Sequence, residues 1–155
     1  MSVSPRSVLI LGFGAFGRLA ARALAPYLPV AVCDPDTGAQ GRAAALGLPL
    51  VPAARAGEFD IVLLAVPVPA LAGALALIAP HLRAGQIVAD VCSVKEGPAA
   101  LMCRALPEGV EILATHPMFG PQSMPGDLAG GRVVLCPLRG AGWRRIAAFL
   151  RHVLG

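Results

Sequence analysis

Lysine is almost missing from this 155-residue chain: Lys95 is the only one. Acidic residues are also scarce, nine in all, and none follows Asp127. Charged residues make up 14% of the sequence, against about 25% in an average domain, while apolar residues reach 56%. Such a chain has ample apolar surface to bury, which excludes a disordered protein. The excess also predicts apolar surface near the C-terminal helix that needs a cover. Aromatic residues are few (5%), which gives little support to base stacking beside Arg132, Arg139, Arg144, Arg145 and Arg151 near the end of the sequence. Nucleic acid is therefore not the expected partner. The arginines read instead as a solvated helix face beside a site for anionic ligands.

Other absences narrow the class further. Cys33, Cys92, Cys103 and Cys136 show no C-x-x-C spacing and no paired histidines, so no metal site is expected. Free thiols in this pattern fit a reducing, cytoplasmic setting, with Cys33 and Cys136 buried in strand-like runs. The first apolar run begins at Val8, which leaves no room for a signal peptide. Residues 61–80 carry no charge and are long enough to span a bilayer, but Pro67 and Pro69 split them into a strand and a helix. No membrane association is expected.

What is present is an alternation of short apolar runs and helical patterns. Strands are expected at 8–11, 30–33, 50–51, 61–66, 87–91, 110–115 and 133–136. Helices are expected after the first glycine cluster, at 37–46, 70–78 and 98–106, and from Trp143 onward. Residues 116–131, rich in Pro and Gly, read as a functional loop. This order predicts one α/β domain over 1–155, a Rossmann-type, doubly wound, mostly parallel sheet with helices on both faces.

Gly12-Phe13-Gly14-Ala15-Phe16-Gly17 is a G-x-G-x-x-G at the end of a predicted strand and the start of a predicted helix. In that context Gly12 allows the tight turn, Gly14 lets the backbone approach a pyrophosphate, and Gly17 lets the helix pack on the strand. The helix N-terminus offers unpaired N–H groups to the phosphates. Asp34 ends the second strand, roughly 20 residues after Gly12, the spacing of a carboxylate that accepts from ribose hydroxyls. Such a carboxylate repels a 2′-phosphate and so favours NAD over NADP. Asp36 competes for the role, and Arg42 could soften the preference. Val66 and Pro67 end a strand on the same expected edge.

Two further segments follow strands: Asp90-Val91-Cys92-Ser93-Val94-Lys95 and Thr115-His116-Pro117-Met118-Phe119-Gly120-Pro121-Gln122-Ser123. In a parallel sheet both fall on the rim of the glycine loop. His116 beside a cofactor is a candidate base. His81 and His152 lie in helical patterns and are expected at the surface.

With the glycine loop, these segments resemble the prephenate/arogenate dehydrogenases, closest to the arogenate type with its H-P-M-F-G-P form. The likeness spans essentially the whole chain, as that family's nucleotide-binding half. It implies an oxidative decarboxylation: hydride passes from the ring carbon bearing the hydroxyl to NAD, a base takes the hydroxyl proton, and a carboxylate departs as CO₂. The resemblance makes His116 the base and gives Ser93 contact with the substrate hydroxyl and the nicotinamide. Gln122 and Ser123 fall in the substrate loop. The family continues into a helical, dimerising second domain that this chain lacks, so a homodimer or pairing with such a half is expected. Two other readings stand beside this one. One is a dinucleotide-binding or regulatory module without catalysis. The other is an imine or hydroxyacid reductase, against which the T-H-P-M-F-G segment argues.

Overall fold

In the computed structural model, which describes residues 6–124 and 128–155, six strands form one sheet in the order β2-β1-β3-β4-β5-β6. The strands are β1 (Val8–Leu11), β2 (Val30–Cys33), β3 (Ile61–Leu64), β4 (Ile87–Asp90), β5 (Glu111–Pro117) and β6 (Val133–Arg139). The first five run parallel and β6 pairs antiparallel with β5, which gives the mostly parallel sheet read from the sequence. Five α-helices accompany it: α1 (Ala15–Leu24), α2 (Thr37–Ala45), α3 (Val68–Ile78), α4 (Glu96–Ala105) and α5 (Trp143–Leu154).

The alternation of side chains along each strand sorts the helices. Val8 and Ile10 of β1 and Val30 and Val32 of β2 pack with Ala20 and Ala21 of α1 and with Ala39 and Ala43 of α2. Leu9, Leu11, Val62, Leu64 and Val88 point the other way, to Leu71 and Leu75 of α3 and Met102 of α4. The central strands are thus buried on both faces, which is why they read as unbroken Val/Ile/Leu runs. Helix α5 returns to the α1 side, where Trp143 and Ile146 meet Ile87, Ala89 and Leu113. Between α1 and α5 the sheet floor leaves an apolar chamber of about 130 Å³, walled by Leu19, Ala23, Leu63, Ala89, Phe149 and Leu150 among others.

Several boundaries differ from the sequence reading. Residues 50–51 make only a single bridge, Leu50 to Val32, and a 3-10 helix follows at Ala53–Glu58. Pro49 and Pro52 flank the pair, and two residues between prolines cannot supply a ladder. Helices α3 and α4 start two residues early, with Pro69 and Pro98 in first turns whose N–H groups have no helical partner anyway. Strand β5 extends through His116 because β6 pairs along it, His116 opposite Val134 and Pro117 opposite Val133. His116 is therefore a strand residue rather than the first of a loop. Residues 125–127 of the expected functional loop lie outside the described residues.

The arginines also sit differently. Because β6 is antiparallel, it carries the chain away from the carboxyl rim of the parallel strands. Arg139 ends at the opposite end, where its guanidinium donates to the carbonyls of Cys103 (3.1 Å), Pro107 (2.7 Å) and Val110 (3.2 Å) and closes the end of α4. Arg144 and Arg145 begin α5 at that same far end, whereas Arg132 stands at the rim, its carbonyl bonded to the Met118 N–H, and Arg151 lies in the last turn of α5, where the Leu154 carbonyl accepts from the Gly130 N–H.

Candidate dinucleotide and catalytic rim

The register of the parallel strands defines one edge. Leu11, Leu64, Asp90 and Ala114 stand in a row, so Gly12, Ala65, Val91 and Thr115 emerge side by side from the carboxyl ends of β1, β3, β4 and β5. With adjacent strands about 4.8 Å apart, Thr115 stands about 14 Å along this edge from Gly12. Strand β2, carrying Asp34, lies one step to the other side of β1.

Gly12 has φ +96°, and a Cβ there would stand 2.6 Å from the Ala65 carbonyl oxygen and 2.8 Å from Cγ1 of Val66. Only glycine meets both demands. A Cβ on Gly17 would collide with the Gly12 carbonyl, so that glycine lets α1 start tight against the loop. Gly14 differs: it is exposed, and a Cβ there would meet nothing within 4 Å. The protein's own packing does not require glycine at that position, so its bareness leaves space outside the loop. Gly14 caps α1 without a side-chain hydrogen bond, and the first turn of α1 carries no acidic residue. The positive end of the helix is left for an outside anion. This cradle fits a pyrophosphate. Ala15 is exposed beside it, while Phe16 is half-buried between the loop and the apolar chamber. The Phe13 side chain is fully buried, and its backbone N–H is already committed.

That N–H donates to Asp34 Oδ2 at 2.6 Å, while Oδ1 accepts from the Asp36 N–H at 2.8 Å. Gly12 N–H donates to the Cys33 carbonyl at 3.0 Å. The end of β2 is therefore stitched to the glycine loop, a role of Asp34 that spacing alone does not reveal. Asp36 is occupied differently: its carboxylate caps α2 through the Ala39 N–H at 2.7 Å and faces Arg42 at 3.9 Å. Pro67 caps α3, and Val66 leans on Gly12. Cys33 is half-buried rather than fully buried, its thiol pKa raised by desolvation and then by Asp34. Cys136 is likewise half-buried, because β6 is an edge strand covered on one side only.

At the other end of the rim, Ser93 is exposed in the loop after β4, and His116 is half-buried in the last turn of β5. By strand alternation His116 belongs to the α3/α4 face, at the point where the sheet ends. Between them is a buried polar knot. Asp90, fully buried, accepts from Lys95 Nζ at 2.5 Å, from the Cys92 N–H at 3.1 Å and from the Thr115 N–H at 3.1 Å. Lys95 Nζ also donates to the Thr115 carbonyl at 2.5 Å, and Thr115 Oγ1 donates to the Asp90 carbonyl. Burial, then the Asp90 charge, pushes the Cys92 thiol up to about 11. Gln122 is exposed, and Ser123 Oγ closes its own turn by accepting from the Gly120 N–H at 2.9 Å. Three exposed apolar side chains lie in the segments next to Ser93 and His116: Val94 (64%), Met118 (60%) and Val134 (47%), the last paired with His116. Apolar surface is also left beside the C-terminal helix, where Phe149, Leu150 and Val153 of α5 line the apolar chamber against α1 and the neighbouring Tyr27 is exposed. Among the described residues no group of three or more His, Cys, Asp or Glu could hold a metal, and no helix is long and apolar enough to cross a membrane. His81 and His152 are exposed, far along the chain from this rim.

Fold and rim together define a dinucleotide-binding domain of the Rossmann type. Residues 19–154 match the family model described as "Prephenate dehydrogenase, nucleotide-binding domain", and the chain belongs to that family. The match begins past the glycine loop, so loop and family model are separate observations. Cyclohexadienyl dehydrogenase of Zymomonas mobilis is 34% identical over 131 residues, covering 79% of this chain and 44% of its own length. Arogenate dehydrogenase 1, chloroplastic, of Arabidopsis thaliana is 32% identical over 127 residues, covering 79% of this chain and 20% of its own. The chain spans less than half the length of either relative. Among solved structures, prephenate dehydrogenase from A. aeolicus, in complex with hydroxyphenyl propionate and NAD+, superposes with TM-score 0.76 at 21% identity over 99% of this chain and 58% of its own. An imine reductase from a Pseudomonas species superposes equally well (TM-score 0.77, 17% identity, 99% of this chain and 54% of its own). Likeness of fold therefore does not separate these activities.

Proposed function

We propose that this chain is the NAD-binding half of a dehydrogenase that oxidatively decarboxylates arogenate or prephenate in the cytoplasm. The observation that carries the reading is the placement of the glycine cradle, Asp34, Ser93 and His116 along one edge of the sheet. The A. aeolicus relative, whose structure contains NAD+ and a hydroxyphenyl acid, supports the same pairing of cofactor and substrate class.

The bound nicotinamide supplies the hydride acceptor. The chain's own groups do the rest. The N-terminus of α1 and the loop 12–17 hold the pyrophosphate, and Asp34 accepts from the adenosine ribose at the β2 end. Ser93 orients the substrate hydroxyl, and His116 takes its proton. Val66 and Pro67 line the edge between the two ends. Gln122 and Ser123 lie in the substrate loop. The exposed Val94, Met118 and Val134 form an apolar wall that a substrate ring and a second wall, from a helical domain or a partner copy, would cover.

The test has two readouts. By calorimetry the chain is expected to bind NAD more tightly than NADP. In a chain joined to a second half, turnover is followed as NADH formation with arogenate and with prephenate. His116→Asn lowers it by about 10²–10⁴-fold, the usual share of a general base, and leaves NAD affinity unchanged. NAD binding without turnover of either substrate would leave a dinucleotide-binding module.

A further inference from the structure

The sequence singles out Lys95, yet the proposed chemistry assigns it nothing. We infer that Lys95 and Asp90 are positioning residues that fix His116 and Ser93 relative to each other. The inference rests on the catalytic reading of those two groups.

The β4–β5 ladder ends at Asp90 opposite Ala114. Past that point neighbouring strands ordinarily part, and the first peptide beyond is Thr115–His116. Here side chains continue the tether. The Asp90 carboxylate takes the Thr115 N–H, and Lys95 Nζ takes the Thr115 carbonyl oxygen, an atom of the peptide plane that leads into His116. On the other side β6 holds the same stretch, with His116 paired to Val134. The His116 backbone is therefore clamped from both directions, and the Asp90–Lys95 pair is the clamp that reaches across to the loop that carries Ser93.

The same knot shapes that loop. Asp90 holds the Cys92 N–H directly before Ser93, and Lys95 is anchored two positions after it. Ser93 is left exposed between two tethered points. A fully buried carboxylate paired with a lysine whose side chain is 23% exposed is an expensive arrangement in stability terms. What it gains is a fixed geometry between the two groups that must meet one hydroxyl. An alkyl residue at 95 would leave the Thr115 carbonyl and the Asp90 carboxylate short of a donor, and the Thr115–His116 peptide free to tilt. A misplacement of about 1 Å at reacting groups lowers rates by about 10²-fold.

The experiment reads the histidine ring directly. In the chain labelled at histidine, His116→Asn assigns the His116 signals apart from those of His81 and His152. Expected for Lys95→Met is a displaced or multiplied His116 signal, with His81 and His152 unmoved and NAD affinity retained. Lys95→Arg restores a single signal. In a chain joined to a second half, Lys95→Met lowers kcat about 10²-fold with KM for NAD unchanged. Should Lys95→Met not fold, Lys95→Gln, which keeps one donor in place of the two Lys95 bonds, carries the same readout. A His116 signal identical to wild type in the folded variants overturns the inference. If instead NAD leaves the His116 signal of the wild-type chain unmoved, the catalytic reading itself fails, independently of Lys95.

Discussion

Replacing Asp34 separates a residue that only touches ligand from one that also builds the site. In a purely ligand-contacting role, Asp34→Ala would weaken NAD binding and leave the unliganded domain unchanged. The structure requires more. Asp34 Oδ2 accepts from the N–H of Phe13, a residue with no solvent exposure, and the variant strands that donor. A hydrogen bond to a charged group contributes about 1.5–3 kcal/mol, and a buried N–H left unpaired costs a similar amount. The second bond, from the exposed Asp36 N–H, adds little. The expected loss is therefore about 1.5–3 kcal/mol. At about 2–4 °C per kcal/mol for a domain of this size, Tm falls by roughly 3–12 °C. Asp34→Asn keeps one oxygen for Phe13 and recovers part of this, while still losing the charge that rejects a 2′-phosphate. Thermal unfolding gives the first quantity, and calorimetric titration with NAD and NADP gives the second. Unchanged Tm and unchanged NAD affinity in Asp34→Ala would refute both roles. Unchanged Tm with weakened NAD binding would refute the stitching of β2 to the loop and leave the ribose contact.

The glycine loop offers a contrast between neighbours. Gly12→Ala is expected to destabilise the fold by about 1–3 kcal/mol, from its positive φ and the Ala65 carbonyl at 2.6 Å, whereas Gly14→Ala leaves Tm within a degree or so and weakens NAD binding; unfolding curves and titrations of the pair show both. Among the thiols, Cys92, with a pKa pushed up to about 11, stays unmodified by iodoacetamide near pH 8 while the exposed Cys103 reacts, as peptide mass spectrometry will show. Raising the pH toward 11 ionises Cys92, so its alkylation is expected only there, in step with the direction of the shift. Filling the chamber between α1 and α5 by Ala23→Leu is expected to stabilise the domain by about 0.5–2 kcal/mol, read as a higher Tm, and a lower Tm would mean the chamber is too narrow for the added atoms.

Much of this architecture is legible in the sequence because two regular signals coincide there. The double burial of β1, β3 and β4 leaves Val/Ile/Leu runs, and the glycine loop sits where one run meets a helical pattern. The glycines differ in a way that the motif hides: Gly12 and Gly17 answer to packing inside the protein, and only Gly14 is bare without an internal reason. What sequence pattern misses is set by partners distant in the chain. The extension of β5 over His116 depends on β6, which is contributed by residues beyond 130. The expected strand at 50–51 fails because two prolines leave it no ladder. The arginines were read as one group, but the antiparallel turn of β6 sends most of them to the far end of the sheet, and no periodicity encodes that turn. The single lysine was visible as an oddity. Its place in the fold appears only when the carbonyl of Thr115, 20 positions on, is seen to accept its hydrogen bond.

The most direct measurement is where the nicotinamide ring lies when NAD is bound to this chain. Intermolecular Overhauser contacts between the nicotinamide protons and labelled side chains report it without turnover or a second domain. The expected result is contact with Ser93 and the His116 ring, together with adenosine contacts near Asp34 at the opposite end of the rim. A nicotinamide that touches neither Ser93 nor His116, with the adenosine still seated beside Asp34, would contradict the catalytic assignment while leaving the dinucleotide cradle intact.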